Sequence, residues 1–405
     1  MSLAPWRSKP MQFLEKLKEV QAELIQQQIK GWLLYDFRGC NNLAFHFLEI
    51  PSGQLITRRF FYWIPQKGDP IKIVPIIEPY TLDHLPGIKW IYRGWEEMEK
   101  YLFAIALENR RIAMEYSPFN ALPVVSKVDA GTVELLRKAG VEVVSSANLL
   151  QRYTSVWTDD QLQTHLYAAE LLNEIVDQTW AYIESSLQAK TAIDEYAVQQ
   201  FMLNKMHAKG CTTDKPPICA VNAHSADPHY QPQRRGSLPI CSQDFILLDL
   251  WCKKTEPQAV YADITRVGVA AAHPTEKQLE IFYHVKQARD QATDFIKDRY
   301  EQMKPIQAWE VDQVCRNVIT EAGYGDYFVH RTGHNIGEEL HGPGANLDNF
   351  ETHDFRFLLP GTCFSVEPGI YLPNEFGVRL EYDIYLDHSG QIKITGGIQE
   401  QLVCL

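Results

Sequence analysis

Hydrophobic positions in the first third of the chain alternate between helical and strand spacing. Residues 11–29 carry apolar side chains at helical intervals, which predicts an opening helix. The apolar run at 32–35 predicts a buried strand, and segments 59–64 and 71–76 flank a turn containing Pro and Gly, which predicts a hairpin. The pattern then predicts helices at 95–106 and 132–138 and strands at 111–114 and 141–144. This alternation indicates a mixed α/β domain.

From about residue 157 the pattern changes to long helices separated by strands. Helical spacing predicts helices at 159–187, 192–209, 276–304 and 311–322. Strands of antiparallel character are predicted at 245–251, 260–270, 363–372 and 378–386, the last two joined by a turn. We therefore expect a boundary at 154–158, with an α/β domain at 1–156 and an α+β domain of antiparallel sheet and long helices at 157–405.

Length and composition agree with two globular domains. The chain has 405 residues, of which 45% are hydrophobic and 22% charged. The formal net charge of −12 and the lack of a Lys/Arg-rich run argue against nucleic acid as a partner.

The sequence also suggests where the protein works. It has no stretch of about 18 consecutive apolar residues, and residues 1–11 lack the apolar core of a signal peptide. Its eight cysteines are scattered and form no C-x-x-C pair, which favours reduced thiols. We therefore expect a cytoplasmic protein that does not bind membranes.

Four carboxylates on the later strands are the main candidates for chemistry. Asp249 follows an apolar run, Asp263 lies in the next predicted strand, and Glu367 and Glu381 repeat the arrangement on the second strand pair. If they converge, mutual repulsion raises their pKa values unless cations occupy the site, so two divalent ions are the natural complement. His334, which lies between two glycines, supplies a neutral imidazole ligand.

Each of these residues also has a simpler interpretation. An isolated Asp at a strand end is more often a turn or cap residue, and an isolated Glu in a strand usually faces solvent. His334 alone is compatible with a satisfied buried histidine. The metal-site hypothesis therefore rests on the combination of residues.

The combination resembles the motifs of the pita-bread metallopeptidases. The matching positions, in chain order, are Asp249, Asp263, Gly333-His334-x-Ile336-Gly337, Glu367-Pro368-Gly369-Ile370-Tyr371 and Gly377-Val378-Arg379-x-Glu381. The last two segments are more similar to Xaa-Pro dipeptidases and Xaa-Pro aminopeptidases than to methionine aminopeptidases. The resemblance implies a creatinase-like α/β N-terminal domain and a pita-bread catalytic domain.

The resemblance also implies a set of metal ligands. Asp263 and Glu381 would bridge two divalent metal ions, with Asp249 on one ion and His334 and Glu367 on the other. A hydroxide bridging the ions would attack the scissile carbonyl. The oxygen-rich ligand set favours manganese, while cobalt, zinc and iron are also compatible.

Four residues are candidates for catalysis or substrate binding. Glu367 is the candidate proton acceptor. His341 matches a histidine that stabilises the oxyanion or moves a proton, and the alternative is a surface imidazole in a Gly-rich loop. His229 matches a substrate-contacting histidine, or is a plain loop residue. Arg379 would orient Glu381, hold the substrate's backbone or carboxylate, or form only a salt bridge.

The expected function is hydrolysis of the Xaa-Pro bond of dipeptides, or of the N-terminal Xaa-Pro bond of short peptides, by a homodimeric enzyme. One alternative is a metal-free, creatinase-like amidinohydrolase. The other is a pita-bread module that binds peptides without catalysis. Retention of all five ligand residues argues against both alternatives, which the fold alone does not distinguish.

Three features depart from the family pattern. Asp249 and Asp263 are fourteen residues apart, which is more than is typical, and the extra residues are expected within 251–258. Tyr382 follows Glu381 where an acidic residue is usual. Gly342 follows His341, again in place of an acidic residue. The last two features bear on substrate choice.

Overall fold

The chain folds into two compact units. The computed structural model describes residues 9–51 and 53–405, so most of the segment inspected for a signal peptide lies outside the described residues. The first unit ends at Thr154 and the second spans Ser155–Leu405. Within the described residues, no helix has the length and apolar character needed to cross a membrane. All eight cysteines are free.

The first unit is a six-stranded mixed sheet with the strand order β4-β3-β2-β1-β5-β6. Its strands are β1 (Gly31–Asp36), β2 (Phe60–Pro65), β3 (Ile71–Pro75), β4 (Ile88–Tyr92), β5 (Arg111–Met114) and β6 (Glu142–Ser145). Its helices are α1 (Lys9–Gln26), α2 (Asn42–Phe47), α3 (Trp95–Glu108), α4 (Ala130–Lys138) and α5 (Ala147–Thr154). The predicted β2–β3 hairpin is confirmed as an antiparallel pair. The sequence patterns did not predict α2, α5 or the edge strand β4.

Long helices and mainly antiparallel strands make up the second unit, as predicted, and only the short strand β17 pairs in parallel, with β10, among the described strands of this unit. The helices are α6 (Asp159–Gln188), α7 (Glu195–Ala208), α8 (Glu276–Glu301) and α9 (Ala308–Glu321). The strands are β7 (Cys211–Thr212), β8 (Ile218–Val221), β9 (Phe245–Lys254), β10 (Ala262–Val269), β11 (Asn335–Ile336), β12 (Cys363–Val366), β13 (Gly369–Leu372), β14 (Phe376–Arg379), β15 (Tyr382–Leu386), β16 (Ile392–Thr395) and β17 (Val403–Cys404). Capping boxes at Thr158 and Thr275 fix the starts of α6 and α8.

The antiparallel pair β9–β10 is buried on both faces. Phe245 and Leu247 belong to the core cluster that includes α8 and α9, whereas Ile246 and Leu248 belong to the cluster that includes α6 and α7. Burial on two faces explains why β9 begins with a continuous run of apolar residues, whereas a strand with one exposed face would alternate apolar and polar residues. Because side chains alternate along a strand, Asp249 shares the face of Phe245 and Leu247.

Two predictions about the strands were wrong in ways that matter for the site. The segments 363–372 and 378–386 are not continuous strands, since each is broken, at residues 367–368 and 380–381. Pro368 has no amide hydrogen to donate to a ladder, which favours the first break. In addition, β9 continues to Lys254, three residues past the predicted end of the strand at 251, so Asp249 lies in the middle of the strand.

Candidate metal centre

A cavity of about 1160 Å³ lies within the second unit. All eight residues singled out from the sequence contribute to its wall: Asp249, Asp263, His334, Glu367, Glu381, His229, His341 and Arg379. The residues therefore converge in space although 152 positions separate the first from the last.

The strands β9 and β10 place three polar side chains on the face that meets the cavity. Asp249 pairs across the ladder with Thr265, and Asp263 lies two residues before Thr265 on the same face. The hydroxyl of Thr265 lies 3.0 Å from Asp249 Oδ1 and 2.6 Å from Glu381 Oε2. Sequence reasoning missed Thr265, although its spacing of two residues from Asp263 was a usable signal.

The other two carboxylates, those of Glu367 and Glu381, lie at the strand breaks at 367–368 and 380–381 and approach the same face. Glu367 follows β12, and Glu381 precedes β15. His334 Nε2 lies 3.6 Å from Asp263 Oδ2 and 3.5 Å from Glu367 Oε1. Ligand atoms of Asp263, His334 and Glu381 all lie within 4.8 Å of one another. This arrangement is compact enough to hold a metal ion.

Burial and mutual repulsion raise the pKa values of three carboxyl groups in the cluster formed by Asp249, Asp263, Glu367 and Glu381. Burial is the largest influence raising the pKa of Asp263, and the charges of Glu381 and Asp249 raise it further. The pKa of Glu381 is also raised well above its usual value, chiefly by burial and then by Glu367. Burial raises the pKa of Glu367 to about 7, although Arg379 opposes this shift. Without cations, the cluster therefore retains protons at a pH where free carboxylic acids have lost them.

The surroundings of two carboxylate oxygens indicate whether metal ions fit this site. Asp263 Oδ1 and Glu381 Oε1 are buried and have no hydrogen-bond partner among the described residues. An unpartnered buried carboxylate oxygen costs free energy that a cation would recover. The hydroxyl of Thr265 has one hydrogen, so it can donate a hydrogen bond to Asp249 or to Glu381 but not to both at once. The donor set therefore fits divalent ions.

The guanidinium of Arg379 is already engaged by protein groups. Its Nη2 contacts Asp249 Oδ2, its Nη1 donates to the Tyr371 hydroxyl at 3.2 Å, and its Nε donates to Thr265 Oγ1 at 3.0 Å. Its nearest carboxylate is Asp249, while Glu381 Oε2 lies 3.9 Å from Nε. Tyr371, which sequence reasoning did not assign, also hydrogen-bonds His330 at 2.7 Å.

Two histidine rings stand against each other at the cavity wall. The ring centroids of His334 and His341 are 4.2 Å apart, with an interplanar angle of 65°. His341 lines the cavity and is exposed, and desolvation by the protein around its ring, followed by the charge of Arg331, lowers its pKa. The pKa of His334 is lowered well below its usual value for the same leading reason. Both rings are therefore neutral at pH 7.

His229 lies on an exposed loop, and its backbone amide donates to Asp227 Oδ1 at 3.0 Å. The fully buried carboxylate of Glu195 holds this loop, because it accepts hydrogen bonds from the Tyr230 hydroxyl, the amide of Leu238 and the ring of His224. Sequence reasoning missed Glu195, whose role depends on contacts 26 or more positions away.

The unusual tyrosine after Glu381 does not face the metal-ligand cluster. Tyr382 is buried in the core, with its hydroxyl 2.7 Å from Thr293 Oγ1 and its ring against Arg289. The carboxylate behind the site comes from Asp383, whose Oδ2 accepts the Asp263 amide at 2.9 Å. This acidic residue is one position later than the family pattern predicts, and our sequence reasoning overlooked it.

Residues 166–388 match the family model for metallopeptidase family M24. The uncharacterized peptidase SSP1059 of Staphylococcus saprophyticus is 28% identical over 270 residues, which cover 65% of this chain and 69% of that protein. Matches to similar peptidases of Staphylococcus aureus cover about two thirds of those proteins.

Solved structures resemble the chain over nearly its full length. Dipeptidase PepE from Mycobacterium ulcerans superposes with a TM-score of 0.63 at 21% identity, covering 98% of this chain and 99% of that one. The Xaa-Pro dipeptidase from Bacillus anthracis superposes with a TM-score of 0.60 at 22% identity, covering 97% and 99%. At these identities the similarity concerns the fold.

Proposed function

Because the chain belongs to metallopeptidase family M24 and has its pita-bread fold, we propose that it is a dinuclear metal-dependent peptidase. Its proposed substrates are Xaa-Pro dipeptides or short peptides with an N-terminal Xaa-Pro bond. The observation that carries the proposal is the convergence of four carboxylates and one imidazole on a cavity wall, where two buried oxygens lack partners among the described residues.

In this proposal Asp263 and Glu381 would be shared ligands, because each has one oxygen without a hydrogen-bond partner among the described residues and one oxygen near other polar groups. Asp249 would bind one ion, and His334 and Glu367 would bind the other. The carboxylate-rich set favours manganese, with cobalt, zinc and iron as alternatives. When bound, such ions acidify water and polarise a carbonyl.

The remaining chemistry falls to residues of the chain. Glu367 accepts the proton of the attacking water, and Ser365 Oγ holds its Oε1 with a hydrogen bond of 3.0 Å. His341, which is neutral at pH 7, donates a hydrogen bond to the developing oxyanion. His229 contacts the substrate from the exposed loop. Arg379 fixes the orientation of Asp249 and is a positioning residue in this scheme.

Hydrolysis of Ala-Pro and Ala-Pro-Ala by metal-stripped protein, before and after addition of Mn²⁺, tests the proposal. We expect Mn²⁺ to restore cleavage of at least one of the two peptides, with Ala-Ala cleaved much more slowly. Cleavage of only the dipeptide identifies a dipeptidase, and cleavage of the tripeptide an aminopeptidase. If neither is cleaved while two ions are bound, the proline specificity is wrong.

The metal-free alternatives make different predictions in the same assay. A creatinase-like amidinohydrolase would be active after stripping, and a binding module would retain peptide without turnover. The clustering of all five ligand residues around one cavity favours the metallopeptidase over both.

Metal removal should make the thermal stability depend on pH. Folding raises the pKa of Glu367 to about 7, and those of Asp263 and Glu381 are raised as well. The folded metal-free protein therefore binds more protons than the unfolded chain near neutrality, and its stability falls as pH rises through this range. The histidines whose pKa values are lowered contribute little above pH ~7.5, because they are then neutral in both the folded and the unfolded state.

We expect the thermal unfolding midpoint of the stripped protein to fall between pH 7.5 and 8.5 by about 2–4 °C, which corresponds to ~1 kcal/mol in a unit of this size. The Mn²⁺-loaded protein should change much less, because the ions bind the ionised carboxylates. Differential scanning calorimetry of both forms measures the difference. Identical pH profiles would contradict the proposed protonation of the empty cluster.

A further inference from the structure

The hairpin between β9 and β10 extends well beyond the two aspartates. Asp263 pairs with Trp251, and the strands continue to the pair Cys252 and Ala262, after which β9 runs on to Lys254. The extension places a lysine side chain and a backbone amide beside the loop that carries His341.

We call residues 337–342 the His341 loop. Two groups of the hairpin contact its start: the amide of Tyr261 donates to Gly337 O at 3.0 Å, and Lys253 Nζ donates to Glu338 O at 2.5 Å. The same ammonium lies 5.0 Å from the centroid of the Tyr261 ring. The lysine thus joins the hairpin to the loop through a charge-assisted hydrogen bond.

The other end of the His341 loop is fixed independently. The amide of Gly342 donates to Asn335 O at 2.7 Å, and the amide of Gly344 donates to Asn335 Oδ1 at 2.9 Å. A Cβ atom on Gly342 would come within 2.3 Å of Asn335 Oδ1, so only glycine fits this close approach. The histidine ring is therefore carried by a short segment held on both sides.

We propose that Lys253 is a positioning residue for His341, acting through its hydrogen bond to the backbone of Glu338. The inference rests on the proposed function, because it assigns His341 to the reacting centre. A catalytic group must be held within a fraction of an ångström, so a loop released at one end lowers turnover without removing any ligand. Within the described residues, Lys253 contacts Glu338 and Tyr261 but neither the four carboxylates nor His334.

The test compares Lys253→Met with Lys254→Met. Lys254, the next residue on β9, is the matched control, because its ammonium pairs with Glu256 at 3.0 Å and contacts the ring of Tyr167. With the peptide that the wild type cleaves, we expect Lys253→Met to lower kcat about tenfold, with KM within twofold and manganese content unchanged. Lys253→Arg should recover most of the loss, and Lys254→Met should match the wild type.

A double mutant shows whether the effect passes through the histidine. If it does, Lys253→Met combined with His341→Ala will be no slower than His341→Ala alone, because coupled residues are not additive. Additive losses, or a Lys253→Met enzyme with wild-type kcat, would overturn the inference.

Amide hydrogen exchange of residues 337–342 tests the positioning role without any activity. Lys253→Met should speed exchange in the His341 loop at least severalfold, whereas Lys254→Met should not. Unchanged exchange overturns the inference even if the protein proves to be no peptidase. Conversely, lack of Xaa-Pro hydrolysis in the wild type would count against the proposed function alone.

Discussion

Replacing Asp263 with alanine should reduce hydrolysis of the preferred Xaa-Pro peptide by at least ~10³-fold, equivalent to about 4 kcal/mol of transition-state stabilisation. Asp263 has one oxygen 3.6 Å from His334 Nε2, and its other oxygen has no hydrogen-bond partner in the part of the chain that the structure describes. If it is shared by both ions, its loss should also lower the manganese bound per chain. Steady-state kinetics and elemental analysis of the same preparation measure the two effects.

The fold should survive this substitution. In the absence of metal, burial of the Asp263 carboxyl group costs free energy, and its Oδ1 has no hydrogen-bond partner among the described residues, so alanine removes a group that does not stabilise the fold. Circular dichroism should therefore match the wild type. Asp326→Ala, which changes an exposed aspartate of the same unit, is the matched control. Full activity with normal metal content in Asp263→Ala would rule out the two-metal site.

His341→Ala should lower kcat about a hundredfold or more while the metal content stays close to that of the wild type, in keeping with the effect of one positioned proton donor. Its pKa is lowered by desolvation and by the charge of Arg331, so the ring is neutral at pH 7 and can donate a hydrogen bond without carrying charge. It contacts the ring of His334 and, within the described part of the chain, none of the four carboxylates. Loss of turnover and loss of metal are thus separable at this position.

The pair of kinetic and metal measurements distinguishes His341 from the ligands. His207→Ala changes an exposed histidine on α7 and should leave kcat unchanged. A normal rate in His341→Ala would return this residue to the surface-imidazole interpretation. A parallel loss of manganese would instead indicate that His341 supports the binding of the ions.

Local periodicity predicted most of the regular elements. The apolar spacing and capping residues of α6 and α8 lie within the elements themselves, and both helices occur where they were expected. The missed edge strand β4 has a partly exposed pattern, with Ile88 and Ile91 open to solvent, so no buried stripe marks it in the sequence. Elements with weak burial leave weak patterns.

The breaks in the second strand pair show where local patterns fail. Residues 363–372 read as one strand because their apolar content continues through the break. The position of each break depends on the partner strands, because β12 pairs with β15 whereas β13 pairs with β14. Glu367 and Glu381 lie at these breaks, where side chains need not point alternately to the two faces as they do in a regular strand.

By itself, the sequence determined the residue types of the candidate centre and their order, because metal-ligand motifs are short and are read within a few positions. It also determined the α/β and pita-bread fold classes, through periodicity and motif resemblance. Only the tertiary structure decided that Thr265 bridges Asp249 and Glu381, that Arg379 is engaged by Asp249, and that Asp383 supports Asp263 from behind. These contacts join residues up to 130 positions apart, and no local spacing encodes such a pairing.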